Sequence, residues 1–406
     1  MRAFVALTAV VLTMCSCASQ KANVQVEQRI REIENGLVEF TTPMGIFRAD
    51  STKNEDFKTL SERMKHYNVP GVSIAVINDF ALEWARAYGI LRADSDRPVT
   101  VGTYFQAAST SKLVAAAIIL HDVEKGILNL DEDVNNYLKS WSLPENEFTQ
   151  QQKVTLRLLL THQAGLPATD FPQQENTGDP TLVQVLNGEL PAMNKPAIVE
   201  HTPGTKWQYS NIGFVVIQQI LEDALGKPYS QIARETVFEP LGMKNSTFAY
   251  PLSQKPLARE AMPHDADGVL RQPAMPPTAL AQGGLMTTPS DLATFAAELM
   301  RAYVGSSKRV LSKETAHQMF RKELDLDPEM FGVPLSEGLS VLLYGEGEDL
   351  AFAHPGSNFP GMNCWLFGYP ETGKGVVIMT NGALGEVLAM EVISAFNSEY
   401  GNASDQ

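Results

Sequence analysis

Cysteine is scarce in this chain. Three occur among 406 residues, at positions 15, 17 and 364. That number supports neither a disulfide framework nor a cysteine-rich zinc cluster. Cys364 sits in the apolar run Cys364-Trp365-Leu366-Phe367 and reads as a small buried hydrophobe, not a reactive thiol. Positive charge is also short. Thirty-two Lys and Arg face 47 Asp and Glu, a formal net charge of −15. This excludes the basic footprint that nucleic acid requires. No metal is expected, because neither H-E-x-x-H nor a His/Asp cluster occurs. The nearest approach to G-x-S-x-G is Gly71-Val72-Ser73-Ile74-Ala75, which lies in a β-branched run and lacks the last glycine. Nor does any apolar run approach the roughly 20 residues that span a bilayer.

The longest such run, Ala3 to Met14, follows Arg2 and precedes Cys15-Ser16-Cys17-Ala18. It reads as an export signal over residues 1–17. The two cysteines resemble a bacterial lipoprotein cleavage site, with lipidation expected at Cys17 or Cys15. Export to the periplasm or cell envelope, with a lipid anchor as the membrane contact, is the expectation. Residues 18–50 are mixed and polar and predict a tether carrying one short amphipathic helix, Val26 to Leu37.

The remaining length and an apolar fraction of 44% are ample for a large core. Gly71 to Ile77 predicts a strand and Ala81 to Tyr88 its hairpin partner. Short strand patterns return at Leu339–Tyr344, Leu350–His354, Asn363–Tyr369 and Gly375–Thr380, and a helix over Gly385–Phe396 closes the chain. Between the strand-bearing ends, helical patterns alternate with Pro and Gly. Thr155 reads as an N-cap and Gly165 as a C-terminal glycine. Thr288-Pro289-Ser290-Asp291 opens another helix. The expected architecture is α+β: an antiparallel sheet built from both chain ends and flanked by helices, with an all-helical lobe inserted. Residues 51–130 plus 290–400 would form the α/β lobe and 131–289 the helical lobe.

Three motifs could carry chemistry. Ser109-Thr110-Ser111-Lys112 opens an apolar helix. Ser109 is expected at its N-cap, where unpaired N–H groups suit an oxyanion. Lys112 shares its face one turn on. Desolvation there would lower the lysine pKa and let it activate the serine. Tyr209-Ser210-Asn211, if extended, points Tyr209 and Asn211 the same way. A phenol could relay protons and an amide could anchor a carbonyl. His354-Pro355-Gly356-Ser357 lies between apolar strands. There Gly356 would allow close approach of a ligand to backbone, and His354 would be a cation or a donor. Taken alone, each motif is equally compatible with a capped helix or a turn. His162 and His201 are expected to be structural.

In the order S-x-x-K, Y-x-N, H-x-G, these motifs resemble the class C β-lactamase and penicillin-binding DD-peptidase superfamily, which includes esterases. Gly126 to Asp131, Leu159 to Pro167, Tyr209 to Gly213 and Gly283 to Leu292 are similar to the same family, so the resemblance covers residues 55–399. The resemblance implies Ser109 as acylated nucleophile, Lys112 as proton acceptor and Tyr209 as partner acid/base. Asn211, His354, Gly356 and Ser357 would contact substrate, a small molecule or a peptide. Backbone N–H groups of Ser109 and Ser357 would form an oxyanion hole, and no cofactor is implied. Pro355 departs from the threonine of Lys-Thr-Gly and His-Thr-Gly. It offers a substrate carboxylate neither a hydroxyl nor an N–H. A non-enzymatic alternative is a cell-wall-binding lipoprotein that keeps the fold without turnover.

Overall fold

A computed structural model describes residues 23–39, 57–172, 178–249, 259–272 and 278–401. The leader, Cys15, Cys17 and part of the expected tether lie outside these residues. Ten strands occur among the described residues: β1 (Gly71–Asn78), β2 (Ala81–Gly89), β3 (Phe105–Gln106), β4 (Met286–Thr287), β5 (Leu324–Leu326), β6 (Leu335–Glu337), β7 (Leu342–Tyr344), β8 (Ala351–Asn358), β9 (Met362–Tyr369) and β10 (Lys374–Thr380). Eight form one antiparallel sheet in the order β2-β1-β10-β9-β8-β7-β6-β5, and β3 pairs with β4 apart from it. The sheet thus joins both chain ends, with the N-terminal hairpin beside the C-terminal meander, as the sequence predicts. It extends two strands further than predicted, through β5 and β6.

The sheet is covered on both faces, and its period-two alternation sorts the side chains. Val72, Ile74 and Val76 of β1, Val376 and Ile378 of β10, and Trp365 and Phe367 of β9 face one cluster. Ala75, Ile77, Val377, Met379, Cys364 and Leu366 face the other. Over the first face lie α1 (23–35), α2 (Leu60–His66) and α13 (Gly385–Tyr400). The other face carries α10 (Pro289–Tyr303), with α11 (Lys313–Met319) packed on it; α12 (Pro328–Phe331) links β5 to β6. The expectation of a tether is corrected for residues 23–39. Ile30, Ile33 and Leu37 are buried in the first cluster, and Arg29 pairs with Glu83 of β2 at 3.1 Å. Apolar residues at helical spacing docked this segment on the sheet instead of leaving it in solvent.

The helical block contains α3 (Ser111–Glu124), α4 (Glu147–Gln151), α5 (Leu156–Leu160), α6 (Leu182–Asn187), α7 (Asn211–Leu225), α8 (Tyr229–Ala233) and α9 (Glu239–Leu241). Ser111 to Leu120 are all buried, and α3 packs on α7 and α8. It therefore lies with the helical block, although a boundary at residue 130 assigns it to the α/β lobe. The second cluster runs without interruption from the sheet through α10 and α3 to α7, so the two lobes share one core.

One polar contact crosses the other cluster. Arg63 of α2, 4% exposed, donates through Nε to Glu391 Oε2 of α13 at 2.8 Å, and Tyr67 donates to Oε1 at 2.6 Å. Breaking a buried ion pair on one side leaves the other charge uncompensated. Arg63→Met is expected to lower stability in urea unfolding by about 3 kcal/mol or more. Arg63→Met with Glu391→Leu should recover most of that loss. Equal stability for the single and double variants would disprove a strong coupling.

Candidate active site

The loop after β3 brings Ser109 to the sheet. Ala108 to Thr110 form a 3-10 turn that runs directly into α3. Ser109 is not the N-cap: Thr110 holds that place, and no side chain caps the helix. Its hydroxyl is therefore not spent on a backbone N–H. Ala108 has φ +48°, a left-handed conformation that costs a β-carbon residue energy. Two bonds hold this turn. Ser111 Oγ donates to Ala108 O at 2.6 Å and accepts from Leu285 N at 3.0 Å.

Lys112 is fully buried. Its Nζ lies 3.1 Å from Ser109 Oγ, 2.9 Å from Asn211 Oδ1 and 2.6 Å from the backbone O of Gln282. The Tyr209 and Phe214 ring centroids are 5.0 and 5.5 Å away. No carboxylate pairs with it among the described residues. Burial accordingly drives the lysine pKa well below its ordinary value. A neutral amine has two N–H donors and one lone pair. Two carbonyl oxygens take the donors, and the lone pair is left for the Ser109 hydroxyl. On the serine's other side, Tyr209 OH donates to Oγ at 2.8 Å. Burial raises the Tyr209 pKa, outweighing the opposite effect of its bond to Ser109, so it is a phenol at neutral pH.

Asn211 opens α7 behind the Ser210 cap, which accepts from Gly213 N at 3.2 Å. Its amide is engaged at both ends, by Lys112 and by Thr169 O at 3.4 Å. It holds the lysine and is not among the residues that line the cavity. Of the two roles expected of His354, it takes that of a donor and not that of a cation. Its Nδ1 donates to Pro355 O at 2.8 Å, and burial pushes its pKa down to about 3. Ser357 is exposed beside Ser109 in the same cavity. Ser73, the serine of the alternative G-x-S-x reading, is buried inside β1 and bonds Arg86 O at 3.4 Å.

Gly356 is required by the protein itself more than by a ligand. A β-carbon there would lie 2.3 Å from Ala107 O and 3.0 Å from Ser109 N. Strand β8 passes directly against the nucleophile turn. Pro355 is tolerated in β8 because pairing with β7 ends at Ala353, leaving that side free of ladder bonds.

A cavity of about 250 Å³ opens over Ser109 and is lined by Tyr209, His354, Gly356 and Ser357. Six other lining residues were not anticipated as site residues: His162, Trp207, Glu337, Val341, Leu342 and Glu386. His162 is buried, with φ +55°, and its ring lies 4.4 Å from Tyr209. Ser210 N donates to its Nδ1 at 3.1 Å, placing the proton on Nε2. Burial keeps the ring neutral. Its position just after the end of α5 was the available signal. Cys364 is buried as expected, and burial pushes its thiol up to about 12.

Gly356→Ala is expected to displace the Ser109 turn. A shift near 1 Å at a reacting group costs about 100-fold in rate. The measurement is kcat with a neutral ester, alongside circular dichroism. A folded Gly356→Ala enzyme at full rate would disprove the contact's importance.

A family model described as Beta-lactamase matches residues 57–392. Among curated proteins, the chain is 26% identical over 205 residues to "Unguisins hydrolase ungD'" of Aspergillus campestris, covering 48% of this chain and 36% of that one. It is 27% identical over 331 residues to "Penicillin-binding protein 4" of Amycolatopsis lactamdurans, covering 79% and 83%. The chain therefore spans well under two thirds of the first relative's length but most of the second's. A penicillin-binding protein homologue from Pyrococcus abyssi has the same fold, with TM-score 0.71 and 24% identity over 84% of this chain and 76% of that one. With the sheet, the helical block and the Ser109 cavity in place, the match over residues 57–392 establishes that this chain belongs to the Beta-lactamase family.

Proposed function

We propose that the protein is an exported serine hydrolase that cleaves an ester or amide through an acyl-enzyme at Ser109. The observation that carries this reading is the buried Lys112 amine, without a counter-charge, 3.1 Å from Ser109 Oγ. In the acylation step, Ser109 Oγ attacks the substrate carbonyl carbon and Lys112 takes the hydroxyl proton. The Ser109 and Ser357 N–H groups would receive the developing oxyanion. As the tetrahedral adduct collapses, the bond to the leaving group breaks. Tyr209 OH protonates that group and is itself reprotonated from the Lys112 ammonium. Water then enters by the reverse path and releases the acid. Asn211 and His162 act by positioning Lys112 and Tyr209.

Export and lipid attachment at Cys17 or Cys15 rest on the sequence of the leader. Radiolabelled palmitate should enter the full chain, and replacing both cysteines by alanine should remove it. Incorporation that survives both changes would refute this anchor.

A fluorophosphonate should label Ser109, and Ser109→Ala should lower kcat/KM for p-nitrophenyl acetate by roughly 10⁴-fold or more. The same panel includes nitrocefin and a D-Ala-D-Ala peptide. Because His354 is neutral and Pro355 has no hydroxyl, turnover should favour the ester. Binding without turnover of all three would support the non-enzymatic alternative.

Acid profiles test the base. A lysine with a depressed pKa is deprotonated at lower pH than usual. kcat/KM should thus rise with pH and level off well below about 10.4, the ordinary lysine value. A profile still climbing through that value would show that Lys112 is charged at rest. Lys112→Arg, which keeps the charge permanently, should abolish acylation.

A further inference from the structure

The cavity over Ser109 is unusual in charge. Two carboxyl groups line it, Glu337 from the end of β6 and Glu386 from the first turn of α13. Neither forms an ion pair among the described residues. Lys112, the basic side chain that reaches this site, is a neutral amine enclosed by Ser109, Asn211 and Gln282. Both lining histidines are neutral.

Glu337 is 4% exposed. Trp207 Nε1 donates to its Oε2 at 3.2 Å, and that is its side chain's one hydrogen bond among the described residues. Its other oxygen has no protein donor among the described residues and is open to the cavity. A carboxyl in that state is costly unless a partner arrives. Burial pushes its pKa up to about 8 and raises Glu386 as well, so at rest Glu337 holds a proton, which a bound ammonium would displace to solvent by favouring the charged carboxylate. Aromatic faces complete the wall. Trp207 and Tyr209 have centroids 6.4 Å apart, and His162 adjoins both rings. Aromatic faces and carboxyl groups together are what an organic cation requires.

The position relative to the reaction is also fixed. Tyr209 is the group that would protonate the leaving atom. Trp207 lies two residues before it and holds Glu337. Glu337 therefore lies on the Tyr209 side of Ser109, and Glu386 lines the same cavity.

We propose that the preferred substrates are esters or amides whose leaving group carries an ammonium, seated against Glu337, Glu386 and the Trp207 face. This rests on the acyl-enzyme reading above. Ser109 Oγ forms the new acyl bond and the bond to the leaving atom breaks. The departing alcohol, thiol or amine takes the Tyr209 proton and keeps its positive charge. Water later releases the acid. A carboxylate on the leaving group would meet two acidic groups and no free cation.

Three thioesters with one acyl group test this: acetylthiocholine, its uncharged isostere 3,3-dimethylbutyl thioacetate, and S-acetyl-3-mercaptopropanoate. Released thiol is read with a chromogenic disulfide. In the native enzyme, kcat/KM for the cationic ester should exceed that for the isostere by about tenfold or more, with the anionic ester slowest. Glu337→Gln with Glu386→Gln should reduce the cation-to-isostere ratio by about tenfold. Gln keeps an acceptor for Trp207, so the ratio reads charge and not shape. Equal rates for cation and isostere in the native enzyme, or a preference for the anion, would overturn the proposal. So would a ratio unmoved in the double variant. Fluorophosphonate labelling of native Ser109 separates the two levels. Labelling with an unselective panel refutes the subsite alone, whereas no labelling refutes the acyl-enzyme reading beneath it.

Discussion

The site depends on an amine buried without a counter-ion. Lys112 lies wholly inside the protein, and its contacts are the oxygens of Ser109, Asn211 and Gln282. A charged ammonium would be heavily penalised there, whereas a neutral amine is satisfied. Had the fold supplied an aspartate, the lysine would stay protonated and could not accept a proton. The protein instead supplies carbonyl oxygens, which bind the N–H groups without holding the charge. Basicity at this point is therefore a consequence of packing. The all-round apolar surface of α3, closed by α7 and α8, excludes the water that would otherwise stabilise the cation.

The elements around it serve the same constraint. Three chain segments far apart in sequence must meet within hydrogen-bond distance. The N-terminal hairpin and C-terminal meander make one sheet, and β8 in that sheet passes against the turn that precedes α3. The contact is close enough that glycine is needed at 356. The same compression is taken up by Ala108 in a left-handed conformation just before the nucleophile. Strain sits at the two ends of the constellation, at Ala108 and at His162, while the sheet and helices between them are regular. That distribution is expected where surrounding packing over-determines a few residues.

Much of this was legible in the sequence because it carries strong periodic signals. β1, β2 and β8 to β10 are alternating or continuous apolar runs between turns, and α10 announces itself through Thr288 and Pro289. Ser109, Lys112 and Tyr209 converge as their motifs implied. What escaped was short or tertiary. β5 and β6 have three residues each, too few for a period to register. The docking of α1 depends on a partner surface made far along the chain. Asn211 looked like a substrate ligand because its residue type allows it; only the distance to Nζ shows that it holds the lysine. Ser109 looked like an N-cap because serine prefers that place, yet a cap would have tied up the hydroxyl that the chemistry needs.

Glu337 is the clearest case of information absent from local sequence. It is a polar residue in a three-residue strand, with nothing nearby to mark it. Its significance comes from what surrounds it in space: a tryptophan donor on one oxygen, no cation, and a cavity shared with the nucleophile. The groups that make and break bonds keep a general arrangement, since any ester or amide needs a base, a donor and an oxyanion site. The groups around them differ in sign. A neutral His354, a proline in place of a hydroxyl-bearing residue, and two carboxyl groups without an ion pair among the described residues all act against an anionic substrate. Each alone would be a small effect. Together they lie in one cavity, within the low-dielectric region created to neutralise Lys112. Burial that lowers the lysine also strengthens every charge interaction beside it. The constraint that makes the amine a base thus also makes the sign of the surrounding residues decisive for what can bind.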